Sequence, residues 1–321
     1  MNLDRMLEKC KRNQWKVDDL DWTVTPKALS REEEMSVVQY FMDMSGIERL
    51  AKALFVEQGR RTTDPVLKEI FATFVVDEER HAVVAERLAA HYNVHHYREY
   101  EISESLRRFR PHFLKALRNF SEEVANAYVL AGELILDVAL LRSINDHVDD
   151  EMSHQAMKLV NRDESRHIAI DYHMAEYYAS DAYQERLDAA PKQSLREMRI
   201  TAQSVVIMMY YAAPFFRDVF LQPMSIVDPD GVRMREAFKR IHLVSNKPGV
   251  KRRPFAKFMI AMQAAYTRPA VKRLLGPLIT RIVGVPGNLL TPLYDEAELA
   301  RAGRMSFDEL AEEALESKNT A

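Results

Sequence analysis

Two five-residue stretches of the chain repeat one another: Asp77-Glu78-Glu79-Arg80-His81 and Asp163-Glu164-Ser165-Arg166-His167. Each reads Asp-Glu-x-Arg-His and sets a glutamate three residues before a histidine. On a helix three residues turn through roughly 300°, so the two side chains share a face about one turn apart. One such pair is commonplace on a solvated helix. Here each pair has a solitary glutamate well upstream, Glu48 before the first and Glu133 before the second. The result is a potential donor set of four carboxylates and two imidazoles, the makings of a dinuclear metal site. Four carboxylates buried together without compensation cost several kcal/mol each and would protonate or unfold their surroundings. Two divalent cations supply +4 against −4 and remove the conflict. Such oxygen-rich donors suit iron or manganese better than copper or zinc.

The residues next to the donors extend the same idea. A metal-bound histidine usually gives its other N–H to a carboxylate, carbonyl or water. Asp77 and Asp163 each precede a donor glutamate, which places them near the histidine of the opposite motif. The expected pairs are His81 with Asp163 and His167 with Asp77.

Positioning these groups requires helices. Ser30-Arg31-Glu32-Glu33 reads as a capping box, opening a helix whose apolar stripe (Val37, Phe41, Met44, Ala51, Phe55) is interrupted only at Glu48. Asp64 and Pro65 mark the next start, as N-cap and first helical residue. That helix carries Leu67, Phe71, Phe74, Ala85 and Leu88, broken by Glu78 and His81. A third helix carries Leu130, Glu133, Asp137 and Leu140, and a fourth carries Val160, Glu164, His167 and Asp171. In an antiparallel hairpin, residues equidistant from the turn lie at one height. The midpoint of Glu48 and Glu78 is position 63, and that of Glu133 and Glu164 falls between 148 and 149. Both lie in predicted turns, so both pairs sit level, roughly 20 Å from their turns at 1.5 Å per residue.

This pattern resembles the ferritin-like di-iron carboxylate proteins, with their glutamate and Glu-x-x-His ligands. The resemblance covers Ser30 to Ser180. The doubled Asp-Glu-x-Arg-His form is most similar to acyl-carrier-protein desaturases; bacterial arylamine N-oxygenases and di-iron hydroxylases are also similar. It implies an all-α fold, a ferritin-like four-helix bundle over 30–180. An extension precedes it over 1–29, and additional C-terminal helices follow over 181–321. It implies two iron ions, or manganese with iron, held by Glu48, Glu78, His81, Glu133, Glu164 and His167. Departures narrow the choice. The radical tyrosine of ribonucleotide reductase small subunits is Ala85 here, and the additional histidine ligand of the N-oxygenases is Val160. The threonine that multicomponent hydroxylases place near bound oxygen is Asp137, and Asp171 stands four residues after His167. Each aspartate is a candidate catalytic group, as extra ligand or proton relay, or else a buried partner for a basic side chain. His154 and His173 fall off the stripe.

The expected function is that of an O2-dependent non-haem di-iron oxygenase or desaturase acting on an organic substrate, with carrier-bound and acyl-type molecules among the candidates. The implied partners are an electron donor (a ferredoxin or reductase) and a second copy of the chain. The alternative is a ferritin-type protein that handles iron or consumes peroxide. Composition is compatible with either. The 321 residues hold nine glycines and a single cysteine, Cys10, which excludes a disulfide framework and cysteine-based metal sites. Met1 to Leu20 is polar and charged, without a secretory pattern, and the expected setting is cytoplasmic. The longest apolar run, Val205 to Phe216, contains Pro214 and is shorter than the about 20 residues of a bilayer span. The net charge of −3 hides a segregation, since Ala237 to Tyr294 holds eleven Lys or Arg and no Asp or Glu. That span could face an acidic acyl carrier protein, a phosphorylated substrate, an acidic donor or an anionic membrane surface, or could balance the acidic bundle. No recognition motif for nucleic acid accompanies it.

Overall fold

The computed structural model describes residues 1–320, with side chains as far as Ser317, and every regular element among them is helical. In chain order the helices are α1 (Leu3–Arg12), α2 (Arg31–Arg61), α3 (Pro65–Tyr92), α4 (Glu104–Leu117) and α5 (Glu122–Val148). They continue with α6 (Glu151–Ala179), α7 (Asp181–Ala189), α8 (Leu195–Val227), α9 (Val232–Ser245) and α10 (Pro254–Thr267). The chain closes with α11 (Pro269–Val283), the single turn α12 (Gly287–Leu290), α13 (Glu296–Arg304) and α14 (Phe307–Thr320).

Local chemistry explains the boundaries of the long helices. The Ser30 hydroxyl accepts from the Glu33 N–H at 3.3 Å, and the Glu33 carboxylate accepts from the Ser30 N–H at 2.8 Å. Asp64 accepts from the N–H groups of Val66 and Leu67, with Pro65 at the first helical position. Between α5 and α6 the backbone turns through Asp149 in the left-handed region (φ 47°), and Asp150 caps α6. The Asp150 carboxylate also accepts from the buried Tyr92 hydroxyl at 2.7 Å and from the Lys27 N–H at 2.9 Å, tying both hairpins to one end of the molecule.

Helices α2 and α3 form one hairpin, α5 and α6 the other, and the two pack together with α2 on α5 and α3 on α6. Their shared interior holds Phe41, Phe55, Phe71, Phe74, Val160 and Ile168, all buried. Two features depart from regular α-helix. Within α5, Leu134–Leu141 is π-helical, beginning immediately after Glu133, and within α8 Arg217–Leu221 is π-helical, three residues after Pro214. Proline lacks the N–H and crowds the preceding turn. The Arg217 N–H reaches both the Ala213 and Pro214 carbonyls, and the helix continues through the π-helical turn that follows. A helix of 33 residues results where the sequence offered an apolar run of twelve. Both α5 and α8 are long and apolar enough to cross a bilayer by those criteria alone. The most apolar window of α5 is 72% buried inside the protein, that of α8 only 28%.

The C-terminal helices pack on the bundle. Phe215 of α8 stacks on Phe109 of α4 at 4.5 Å, α9 lies against the π-helical stretch of α5, and α14 lies against α6. Helix α1, absent from the sequence expectation, packs against α3 and α6. Helix α11 was likewise unexpected, since it has a proline at each end of its first half (Pro269, Pro277) and Gly276 between them.

Candidate metal centre

The six donor residues converge. Glu48 comes from α2, Glu78 and His81 from α3, Glu133 from α5, and Glu164 and His167 from α6, and all six are buried. They form two overlapping groups that could hold a metal ion: Glu48, Glu78, His81 and Glu164 in one, Glu78, Glu133, Glu164 and His167 in the other. Within each, one potential donor atom per residue lies within 4.8 Å of the rest. The histidines use the same edge. His81 Nδ1 is 2.9 Å from Glu164 Oε1, while His167 Nδ1 is 3.0 Å from both Glu78 Oε1 and Glu164 Oε2.

The opposite ring edges face the aspartates, across the hairpins. His81 Nε2 lies 3.3 Å from Asp163 Oδ2, and His167 Nε2 lies 3.6 Å from Asp77 Oδ2. Arg166, fully buried, spans both carboxylates, donating to Asp163 Oδ1 at 2.7 Å and Asp77 Oδ2 at 3.2 Å. Arg80 reaches the same two residues at 2.8 Å (Asp77) and 3.4 Å (Asp163). Two aspartates and two arginines make this outer layer electrically neutral. The N-terminal segment completes it, as the Trp15 indole N–H donates to Asp163 at 2.7 Å and the Gln14 amide to Asp77 at 3.0 Å. Sequence reasoning assigned no role to Arg80, Arg166, Gln14 or Trp15. The arginine repeated in both motifs was the available sign for the first two.

Electrostatics in the metal-free cage follow from burial and crowding. Burial, reinforced by Glu78 and Glu164, pushes the Glu48 carboxyl well above the usual range, and burial with the same crowding does so for Glu133. Burial opposes charge on His81 and His167 too, but Glu164 and the neighbouring carboxylates win and hold both imidazoles protonated well above the ordinary value. Glu164 is held low in spite of its burial, because both imidazolium rings face it. Protons thus take the place that cations would fill.

Around this core, Phe74 and Phe55 pack on the His167 ring at centroid distances of 4.1 and 5.1 Å, walling that side from water. Asp137 lies in the π-helical stretch and Asp171 on α6; both are buried, and neither belongs to the two groups. Burial raises the Asp171 carboxyl, with His167 opposing and Glu164 and Glu78 adding to the rise. Neither Asp171 oxygen has a hydrogen-bond partner. His154 sits on the surface, 3.7 Å from Asp149, and His173 lines a cleft with Gln58, Leu67 and Phe71. A second cavity, between α5, α6, α9 and α10, is lined by Ala127, Leu130 and Ala131, with Glu123 and Arg253 at its polar side. Comparison of the chain with protein-family models, with curated proteins and with solved structures gives no match.

Proposed function

We propose that the protein is a ferritin-like, non-haem di-iron oxidoreductase that uses O2 to oxidise an organic substrate by hydroxylation, desaturation or N-oxygenation. One observation carries the reading: donor atoms buried without partners. Both oxygens of Glu48 and Oε2 of Glu133 have no hydrogen-bond partner, inside clusters of ligand type and ligand spacing. Unsatisfied buried groups of this kind are costly and call for an ion or a function. The residues fit the group. Glu48 with His81 would hold one metal, Glu133 with His167 the other, and Glu78 and Glu164, common to both clusters, would span the pair. Two iron ions, or one manganese and one iron, supply oxygen reduction coupled to substrate oxidation, which amino-acid side chains alone do not offer.

The chain's own residues have definable parts in that reading. Asp163 and Asp77 fix the ring orientation of His81 and His167 through Nε2, leaving Nδ1 for the metal. Phe55 and Phe74 exclude water. Asp171, protonated at an Oδ, stands one turn beyond His167 as a proton source, and Asp137 is the second candidate catalytic group, one turn beyond Glu133. The helices that follow residue 180 and pack on the bundle favour an enclosed organic substrate over iron as cargo. An electron-donor protein of the ferredoxin or reductase kind is required for repeated turnover. The test is anaerobic loading with ferrous iron, metal analysis, and measurement of O2 uptake with and without a reductant. About two irons per chain and reductant-dependent O2 consumption are expected, and Glu164→Ala abolishes both. Failure to retain iron or manganese overturns the proposal.

A further inference from the structure

Of the eleven cations between positions 237 and 294, Lys251 and Lys257 are exposed and lie outside α11, and the other nine fall into two sets. Five are spent inside the fold. Lys239 pairs with Glu298, Arg240 with Glu236 and Glu313, Arg252 with Asp181 and Arg253 with Glu123, while Lys247 donates to the Met305 and Ala302 carbonyls. These account for a neutralising role toward the acidic remainder of the chain. Arg268, Lys272, Arg273 and Arg281 are exposed, make no ion pair among the described residues, and all lie on or at the start of α11.

The same helix exposes large aliphatic side chains. Leu274 is 77% accessible, Leu275 49%, Leu278 55% and Ile282 52%. At 100° per residue these four fall within one arc of about 100°. The arc points away from the side through which α11 packs, where Gly276 is buried and Ile279, Thr280 and Val283 are half-buried. Arg281 falls about 20° beyond one edge of the arc and Lys272 about 60° beyond the other. The neighbouring α8, whose Ala213 abuts Gly284 at the end of α11, adds Val206 (68% accessible) and Tyr210 (75%) to the exposed apolar surface. Soluble monomers rarely leave such surface uncovered without a partner. An aliphatic stripe edged by unpaired cations, with no acid within the span, is the pattern of a helix that lies in a lipid–water interface.

We propose that α11, assisted by the exposed face of α8, seats the protein on an anionic membrane surface. The leucines enter the acyl boundary, and Lys272 and Arg281 reach lipid phosphates from its edges. Attachment of this kind is peripheral and reversible. It rests on surface residues alone and is independent of the metal reading. Charge complementarity decides for lipid over a second copy of the chain, because two α11 faces brought together would oppose like charges.

The experiment is flotation of the protein with vesicles of phosphatidylcholine alone and of phosphatidylcholine mixed with phosphatidylglycerol. Flotation with the mixed vesicles, weakening as salt rises, is expected. Leu274→Ser with Leu278→Ser lowers the partition at least roughly tenfold. Lys272→Glu with Arg281→Glu lowers it roughly thirtyfold or more. All four positions are exposed, so helical content and thermal midpoint serve as unchanged controls. Absence of flotation, or equal flotation of the serine variant, overturns the proposal. So does a wild-type dimer in sedimentation that the serine substitutions dissociate without any vesicle binding, which would assign the stripe to a second copy. Capture of an acidic carrier protein without flotation would assign the cations to a protein partner and likewise overturn it.

Discussion

Arg166 joins the two halves of the outer layer, and Arg166→Met tests what that junction contributes. The side chain is fully buried, and it donates to Asp163 at 2.7 Å and to Asp77 at 3.2 Å. Methionine fills similar volume without charge. Two charge-assisted hydrogen bonds at about 1.5–3 kcal/mol each would give about 3–6 kcal/mol. The aspartates keep other donors, however: Arg80 at 2.8 Å and Gln14 at 3.0 Å for Asp77, and Trp15 at 2.7 Å for Asp163. The loss is therefore expected near the lower end, about 3 kcal/mol at pH 7, measured by urea denaturation of the metal-free protein. Both aspartates are held below their ordinary range, against burial, by the imidazoles and Arg166. A depressed carboxyl stabilises the fold above its unfolded value and loses that contribution as pH falls through its folded value. The cost of the substitution should accordingly shrink as the pH drops below about 4. Because the layer changes from neutral to −1 beside both histidines, metal affinity should also fall, by about 10- to 100-fold. Asp77→Asn in the same chain restores neutrality and should recover part of the stability. Destabilisation below 1 kcal/mol, or a double variant no better than the single one, would refute the account of a charge-balanced layer.

Two further expectations concern the cage itself. Glu48, Glu133, His81 and His167 all have raised pKa values in the metal-free protein, so the folded state binds more protons than the unfolded chain above about pH 4.5 for the glutamates and 6.5 for the histidines. Metal-free stability should then decline as pH rises from 5 to 8, whereas metal loading should release protons to weakly buffered indicator dye and remove the decline; a gap between the two thermal midpoints that is constant with pH would contradict this. Glu48→Met should have effects of opposite sign. Replacing a buried carboxyl that lacks partners should stabilise the metal-free chain by about 1–3 kcal/mol, while metal analysis shows a fall toward one ion per chain. A loss of stability on that substitution would mean that Glu48 has a structural partner after all.

What was legible in the sequence was whatever a helix writes at short range. Ser30 with Glu33, and Asp64 with Pro65, are separated by at most three residues, and each pair marks a start that the structure places at the same position. Glu48 and Glu78 could be set level because hairpin geometry turns a sequence midpoint into a spatial one. Contacts over long separations left no such trace. Trp15 and Asp163 are 148 positions apart, and no local periodicity links them. The π-helical stretch after Glu133 consists of ordinary apolar residues around Asp137, with nothing in their order to announce an extra residue per turn. Pro214 and Pro277 read as breakers, yet both helices continue. In α8 the following turn widens instead of ending, which tertiary packing of Phe215 and Phe220 supports.

The repeated motifs suggest a symmetric cage, but their surroundings are not symmetric. His167 is walled by Phe55 and Phe74, and its carboxylate partner Glu133 leads directly into the π-helical stretch. Among the described residues the ring contact of His81 is with His167 at 6.0 Å, and Glu48 sits in regular α-helix near the buried Tyr40, whose phenol burial and Glu48 together hold protonated. Widened turns of this kind recur at functional sites because they displace side chains from regular register. Here the displaced residues include Asp137, on the helix that also lines the cavity at Leu130. Metals held by the two clusters would therefore be inequivalent, the one at Glu133 and His167 lying beside the two phenylalanines and on the helix that lines the cavity. Under the proposed function, oxidation of a substrate would begin on that side. Leu130→Trp, at a cavity-lining position one turn before Glu133, should block product formation while leaving the metal content unchanged. Equal loss of metal and activity would show that the cavity is part of the cage's packing and not a substrate channel.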